Sequence, residues 1–334
     1  MCAKEKKLIL APMATLSHEA FRRCVAGFGG CDEYFTEMIN AGSLLNMGPW
    51  EKFYMMDGPD PGKIVWQLTG NNPEKMGDAA KILASLSGIG VDLNMGCSAP
   101  QIAGTGAGIS WMTKDWGETE RMVRLVKKSL QENKGTDGKE KRLSVKMRLG
   151  DEKFTEERLF DFCSMLVDCG VQMLTLHPRT KKEKYRERAR WNFVDDLTKR
   201  FPDIPIILNG DIKDFSSYSS AVEAAPDCAG VMVARMAAQK PWIFKEIRME
   251  EGDSFDVDME RTALDFIDDV EECQPEEFWK TRLRRFFAYY CLNFSFAHYF
   301  QSQMLNASDN EDSRKRVREY FEKCPDDRIK TVRR

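Results

Sequence analysis

Eight short apolar runs, each ending in small or polar residues and each followed by a longer amphipathic segment, set the limits on what this chain can fold into. The runs are Leu8–Pro12, Glu33–Thr36, Ile64–Leu68, Val91–Asn94, Leu143–Met147, Met173–His177, Ile204–Leu208 and Gly230–Ala234. The segments between them carry helix signals. Ser17 stands where a residue would cap a helix through Glu19–Cys24, and Asn72, Pro73 and Glu74 read as an N-cap followed by proline at the first helical position. Glu118–Leu130 and Glu156–Val167 space their apolar residues at helical intervals, and Lys213–Phe215 opens another helix. Eight strand–helix units over about 245 residues describe a (β/α)8 barrel. A doubly wound sheet would carry a glycine fingerprint at its first strand-to-helix turn. Ala11-Pro12-Met13-Ala14 stands there instead, and the glycines at 104, 106 and 108 follow the fourth strand at the wrong spacing.

After Ile243 the strand signals stop. Residues 250–277 are acidic, and from Glu260 the chain reads as helix over 260–272, 276–307 and 310–323, with breaks at Pro275, Ser308–Asn310 and Pro325. Phe278, Trp279, Phe286, Phe287, Tyr290, Phe294, Phe296, Tyr299 and Phe300 form an aromatic stripe that suits the core of a helix bundle. The expectation is an α/β chain: a TIM-barrel domain over residues 1–248 and a small all-helical C-terminal domain over 249–334.

Composition narrows the function classes. No apolar run among the 334 residues approaches the roughly 18 that a membrane span needs. The charged N-terminus, Met1 to Lys7, lacks a signal-peptide core. The ten cysteines are irregularly spaced and form no Cys-x-x-Cys pair, which argues against a zinc ribbon, a redox dithiol or a secreted disulfide framework and points to a reducing cytoplasm. With three histidines, His18, His177 and His298, a histidine-rich metal site is not expected. The net charge of −3 does not announce a nucleic-acid binder, but Thr281 to Arg334 is locally basic, with Arg282, Arg284, Arg285, Arg314, Lys315, Arg316, Arg318, Arg333 and Arg334.

Chemistry in a barrel of this kind sits at the C-terminal ends of the strands. Gln67 falls there on strand three, Asn94 and Cys97 on strand four, Lys146 and Arg148 on strand five, and His177 and Arg179 on strand six. Asn209, Gly210 and Asp211 end strand seven, and Ala234 and Arg235 end strand eight. A lone cysteine is ordinarily a small buried hydrophobe. Cys97, however, lies just past a strand end beside the flexible glycine loop 104–108, within reach of a ligand. Lys146, Arg148, His177 and Arg179 gather cations at one mouth with few acids, which suits an anionic ligand. The backbone after strands seven and eight is a frequent phosphate site in this fold.

These residues resemble the tRNA-dihydrouridine synthase family, flavin enzymes that reduce selected uridines in tRNA. The resemblance covers almost the whole chain. It rests on Ala11-Pro12-Met13, Gln67-Leu-Thr-Gly70, Asn94-Met-Gly-Cys97 with its glycine loop, Val145-Lys-Met-Arg148 and His177-Pro-Arg-Thr180. It continues through Tyr185 with Trp191, Asn209-Gly-Asp-Ile212, Val231 to Arg235 and Pro241 to Phe244. It implies FMN at the barrel mouth, surrounded by Pro12, Met13, Gln67, Lys146 and His177, with its phosphate on the backbone of Asn209, Gly210, Asp211, Ala234 and Arg235. It also implies NADPH as reductant, tRNA as partner and substrate, Cys97 as catalytic acid, Asn94 beside the target base and Arg179 near the substrate. No metal and no obligate protein partner are implied. Three features depart from the family pattern: Ser98 follows Cys97 and the proline is Pro100; Ala234 and Met236 flank Arg235 where glycines are usual; and Arg186 to Arg190 replace a glycine-bearing loop. Two other readings compete. One is an FMN barrel reductase of a free enone or pyrimidine, for which the basic helical tail would have no use. The other is a non-catalytic RNA-binding relative, against which Cys97, Lys146 and His177 all speak.

Overall fold

The computed structural model describes residues 6–151, 154–184 and 186–334. Eight parallel strands close into a barrel: β1 (Lys7–Leu10), β2 (Glu33–Phe35), β3 (Ile64–Thr69), β4 (Gly90–Met95), β5 (Arg142–Arg148), β6 (Met173–His177), β7 (Ile206–Asn209) and β8 (Gly230–Val233). Each pairs with its sequence neighbour, β8 returns to β1, and a two-residue piece, Ile39–Asn40, extends the edge of β3. The eight apolar runs of the sequence coincide with these strands.

Side chains alternate between the two faces of each strand. Outward-facing Leu143, Val145, Met147, Val91, Leu93, Trp66 and Leu68 join the main core against the surrounding helices. Inside the barrel lies a second, smaller cluster of Ile9, Ala11, Phe35, Val65, Met173, Ile207 and Met232. The N-terminal end of the barrel is plugged by Glu33, whose carboxylate meets Lys7 Nζ at 2.8 Å and Arg142 at 2.5 Å. Burial opposes that charge, but the two cations outweigh it and hold the carboxyl below the usual range.

One local expectation changes. His18, not Ser17, stands at the N-cap of the helix Glu19–Ala26, and without a capping side-chain bond. Ser17 Oγ instead accepts from Met13 N at 2.6 Å and donates to Ala11 O at 2.9 Å, pinning the loop that leaves β1. The helix expected to open at Lys213–Phe215 begins at Phe215, with Asp214 capping it in a reciprocal pair with Ser217.

Beyond Arg248 the chain is mostly helical, with Met259–Cys273, Glu276–Tyr290, Ala297–Asn306 and Asn310–Lys323. The expected helix over 276–307 is interrupted after Tyr290. Asn293 Nδ2 takes Tyr290 O and reaches Gln239 O in the barrel, so a side chain satisfies a carbonyl that the next turn would have used. A two-stranded antiparallel ribbon, β9 (Ser254–Asp258) with β10 (Ile329–Arg333), also corrects the all-helical expectation and the reading that strands stop after Ile243. Phe286, Phe287, Tyr290, Phe294 and Phe300 form the bundle core as expected, with Phe266 stacked on Phe286 at 3.7 Å. Phe296 and Tyr299 lie exposed. Among the described residues no helix is long and apolar enough to cross a membrane.

Candidate active site

The C-terminal ends of the strands converge on one mouth, and the side chains lining it are set by strand register. Asn94 lies level with Lys146, Lys146 with Thr175, and Arg148 with His177. β4 ends at Met95, so Cys97 stands two residues beyond the sheet. Its backbone N–H donates to Asn94 Oδ1 at 3.0 Å, and its carbonyl accepts from Ile109 N at 3.0 Å. The glycine loop makes this close packing possible. A Cβ on Gly108, whose φ is +60°, would fall 2.5 Å from Cys97 O. The Ser98 departure also has a simple consequence: Pro100, displaced from the position next to the cysteine, takes the first turn of a short helix, Pro100–Ala103.

The mouth is cationic, and its charges act on one another. Lys146, half-buried, is lowered to about 8 by burial first and Arg148 second, with Asp92 and Cys97 pulling it upward. His177 is pushed far below the usual imidazole range by burial and then by Lys146, Arg148, Arg179 and Arg235. It is therefore neutral. Arg179 Nη1 lies 2.9 Å from His177 Nε2, and since a guanidinium only donates, Nε2 accepts and Nδ1 carries the ring proton.

Arg179 is 3% exposed and fully engaged. Its Nη2 meets both Asp211 oxygens at 2.6 Å and its Nε donates to Glu187 O at 2.6 Å. Asp211 also accepts from Ala189 N at 2.7 Å. These bonds and Arg179 outweigh the burial of Asp211 and hold its carboxyl below the usual range. The β6 end, the loop after it and the β7 end are thus tied together. Trp191 Nε1 adds a bond to Gly210 O, and a Cβ at Gly210 would sit 2.9 Å from His177 Cδ2. Asn209 Nδ2 donates to Met232 O, locking β7 to β8 below Ala234 and Arg235. Tyr185 lies outside the described residues. Pro12 and Met13 sit half-buried above β1, and Gln67 is wholly buried on β3. No group of acidic, histidine and cysteine side chains suited to a metal occurs among the described residues.

The model of the family described as Dihydrouridine synthase (Dus) matches residues 9–325. The chain belongs to the dihydrouridine synthase family. Among its relatives, a probable tRNA-dihydrouridine synthase of Aquifex aeolicus is 34% identical over 247 residues, 73% of each chain. One from Rickettsia typhi is 31% identical over 248 residues, 72% of this chain and 69% of that protein. A tRNA-dihydrouridine(47) synthase-like protein of Mus musculus, whose name includes NAD(P)(+), is 31% identical over 246 residues, 72% of this chain and 36% of its own length.

For a member of the dihydrouridine synthase family, the donor set suits a flavin mononucleotide. The mouth offers an amide at Asn94 and a cation at Lys146, with the Gln67 amide and a partnerless Thr175 hydroxyl buried beneath them. Backbone at Gly210–Asp211 and Ala234–Arg235 flanks the same opening. Sequence reasoning missed the layer beneath it, Asp92 and Ser144. The available signal was an aspartate inside an otherwise apolar run, Val91–Asn94, where a charge has no reason to be buried unless it is bonded.

Proposed function

We propose that this protein reduces the C5=C6 bond of uridine in tRNA to 5,6-dihydrouridine, with FMN as its resident flavin and NADPH as reductant. What supports the reading is the family membership together with one observation: the Cys97 backbone is gripped at the mouth beside Asn94, Lys146 and neutral His177. When bound, reduced FMN supplies the hydride taken up at C6 of the uracil. Every other task falls to the chain. Lys146 offers positive charge to the pyrimidine edge of the flavin, where reduction accumulates negative charge. Gln67, bonded to Asp92 and Asn94, backs the same edge from beneath. Pro12 and Met13 close one side, and the backbone of Asn209, Gly210, Asp211, Ala234 and Arg235 receives the phosphate.

A uracil cannot meet the flavin inside folded tRNA, so it is turned out into the mouth. Asn94 lies beside it. Cys97 Sγ–H gives its proton to C5 as hydride arrives at C6, and the thiolate left behind is reprotonated from solvent. A thiol carries a transferable proton and fits the part of acid. Arg179 serves the substrate through the loop that it anchors. Residues 1–248 carry the reaction and residues 249–334 grip the tRNA.

Cys97→Ala tests the reading. The purified variant is expected to stay yellow, to accept electrons from NADPH, and to lose dihydrouridine formation by about 10³-fold when assayed by mass spectrometry of digested tRNA. Turnover near that of the unaltered protein would remove Cys97 from the acid role. Oxidation of the reduced flavin by free uridine as readily as by tRNA would replace the substrate.

A further inference from the structure

Beneath the mouth, side chains from three adjacent strands form one continuous hydrogen-bonded chain. Gln67, Asp92 and Ser144 are lateral neighbours across β3, β4 and β5. Each alternates with outward-facing apolar residues and so points into the barrel. Ser144 Oγ donates to Asp92 Oδ1 at 2.8 Å, and Gln67 Nε2 donates to Asp92 Oδ2 at 2.8 Å. Asn94 Nδ2 donates to Gln67 Oε1 at 2.9 Å, and Cys97 N donates to Asn94 Oδ1 at 3.0 Å.

The direction of this chain is fixed at both ends. A carboxylate only accepts, so Gln67 must turn its nitrogen toward Asp92. The Gln67 oxygen then faces Asn94, which must answer with nitrogen, and the Asn94 oxygen is left for the Cys97 N–H. Reversing both amides would set oxygen against carboxylate at one end and N–H against N–H at the other. Without an acceptor at position 92, the Gln67 amide nitrogen would be left buried and unpaired, and one of the two ends that fix the chain would be gone.

We infer that Asp92 is a positioning residue for the reaction: it orients the Gln67 and Asn94 amides and, through them, holds the Cys97 backbone at the barrel mouth. The inference rests on the reading of Cys97 as the acid. Asp92 reaches Cys97 only through the two amides between them. Its burial also lacks a stabilising rationale. Burial pushes the carboxyl up to about 6, against the pull of Gln67, Ser144 and Lys146. An apolar residue of similar size would fill the wall of the barrel without that conflict.

Two substitutions separate positioning from mere packing. Asp92→Leu removes the acceptor and keeps the branched shape, whereas Asp92→Asn keeps a carbonyl that can still take the Gln67 amide. In the flavin-loaded enzyme, Asp92→Leu is expected to keep the flavin and the KM for tRNA while lowering kcat by about 100-fold. Exchange of the Cys97 backbone N–H, followed by mass spectrometry, should quicken by at least about tenfold as its acceptor is lost. Asp92→Asn should stay within about fivefold of the unaltered protein in both readouts. A folded Asp92→Leu with unchanged exchange and unchanged kcat overturns the proposal. If Asp92→Leu does not fold, Gln67→Met cuts the same chain one link nearer the cysteine and decides the matter: faster Cys97 exchange supports it and unchanged exchange overturns it. The exchange readout needs no tRNA. Faster exchange in a protein inactive on tRNA would therefore sink the enzymatic reading and leave the positioning chain standing.

Discussion

Lys146 carries a charge that burial holds only loosely. Burial and Arg148 lower it to about 8, and Asp92 and Cys97 keep it from falling further. Below that pH it is a cation, which on the proposed reading faces the flavin edge; above it the charge is gone. Turnover is therefore expected to fall as pH rises through about 8. Lys146→Met should lose about 100-fold at neutral pH and show no such limb in a pH–rate profile. Folding stability should move the other way. An unfolded lysine titrates near 10.5, so between about 8 and 10.5 the unfolded chain binds more protons than the folded one, and stability rises with pH across that window. Opposed trends in activity and in unaided stability would be hard to explain by general damage at high pH. Asp92 is the counterpart at the same scale. Its roles toward Gln67 and Ser144 were illegible in the sequence, because these partners lie 25 and 52 residues away and become neighbours only through strand register.

Among the elements, the loop after β6 carries the strongest local charge beside the mouth. It exposes Lys181, Lys182, Lys184, Arg186, Arg188 and Arg190 against two acids, Glu183 and Glu187. Its base is not loose. Thr180 N donates to Glu183, Ala189 N to Asp211, and Arg179 holds Glu187 O, so the cations are displayed from a fixed root beside the mouth. Such a display suits the phosphates flanking an extruded uridine. Arg186→Ala with Arg188→Ala is expected to weaken tRNA binding by about tenfold at moderate salt and to lower the slope of log K against log salt by about 2. Flavin reduction by NADPH should be unchanged, and an unchanged salt slope would detach the loop from RNA contact. The sequence made this element visible by charge alone, as it made the eight strands visible by alternation. It concealed the break after Tyr290, which contains no proline or glycine and arises from Asn293 reaching a carbonyl of the barrel. It concealed the ribbon as well, since β9 is short and acidic and its partner lies at the far end of the chain. Signals carried by neighbours in sequence were readable; those completed by distant chain were not.

At the scale of the whole molecule, the barrel and the helices that follow it are joined by a buried ion pair. Arg282, on the helix Glu276–Tyr290, meets Glu37, just beyond β2, at 2.6 Å, and both are nearly inaccessible. The same Glu37 oxygen accepts from Thr15 N at 2.5 Å, and Thr15 stands at φ +64° two residues past Met13. One carboxylate therefore links the helix, the loop over β1 and the barrel wall. Burial raises Glu37, and Arg282 is the largest opposing influence. Without the arginine the carboxyl would sit buried and unpaired. His18, neutral and buried beside Arg282 and Arg22, offers no replacement charge. Arg282→Met is expected to destabilise the protein by about 3 kcal/mol in chemical unfolding, because breaking a buried pair costs more than removing it. The double variant Glu37→Gln with Arg282→Met should recover at least about half of that loss. If the pair also fixes the angle at which tRNA is offered to the mouth, the double variant regains stability without regaining kcat/KM for tRNA, while flavin reduction by NADPH stays normal. Recovery of stability and of kcat/KM together would reduce the pair to a structural link. On the proposed reading tRNA touches the helices and places one base over the barrel at the same moment, so a joint that is stable but set at the wrong angle would be felt in that ratio first.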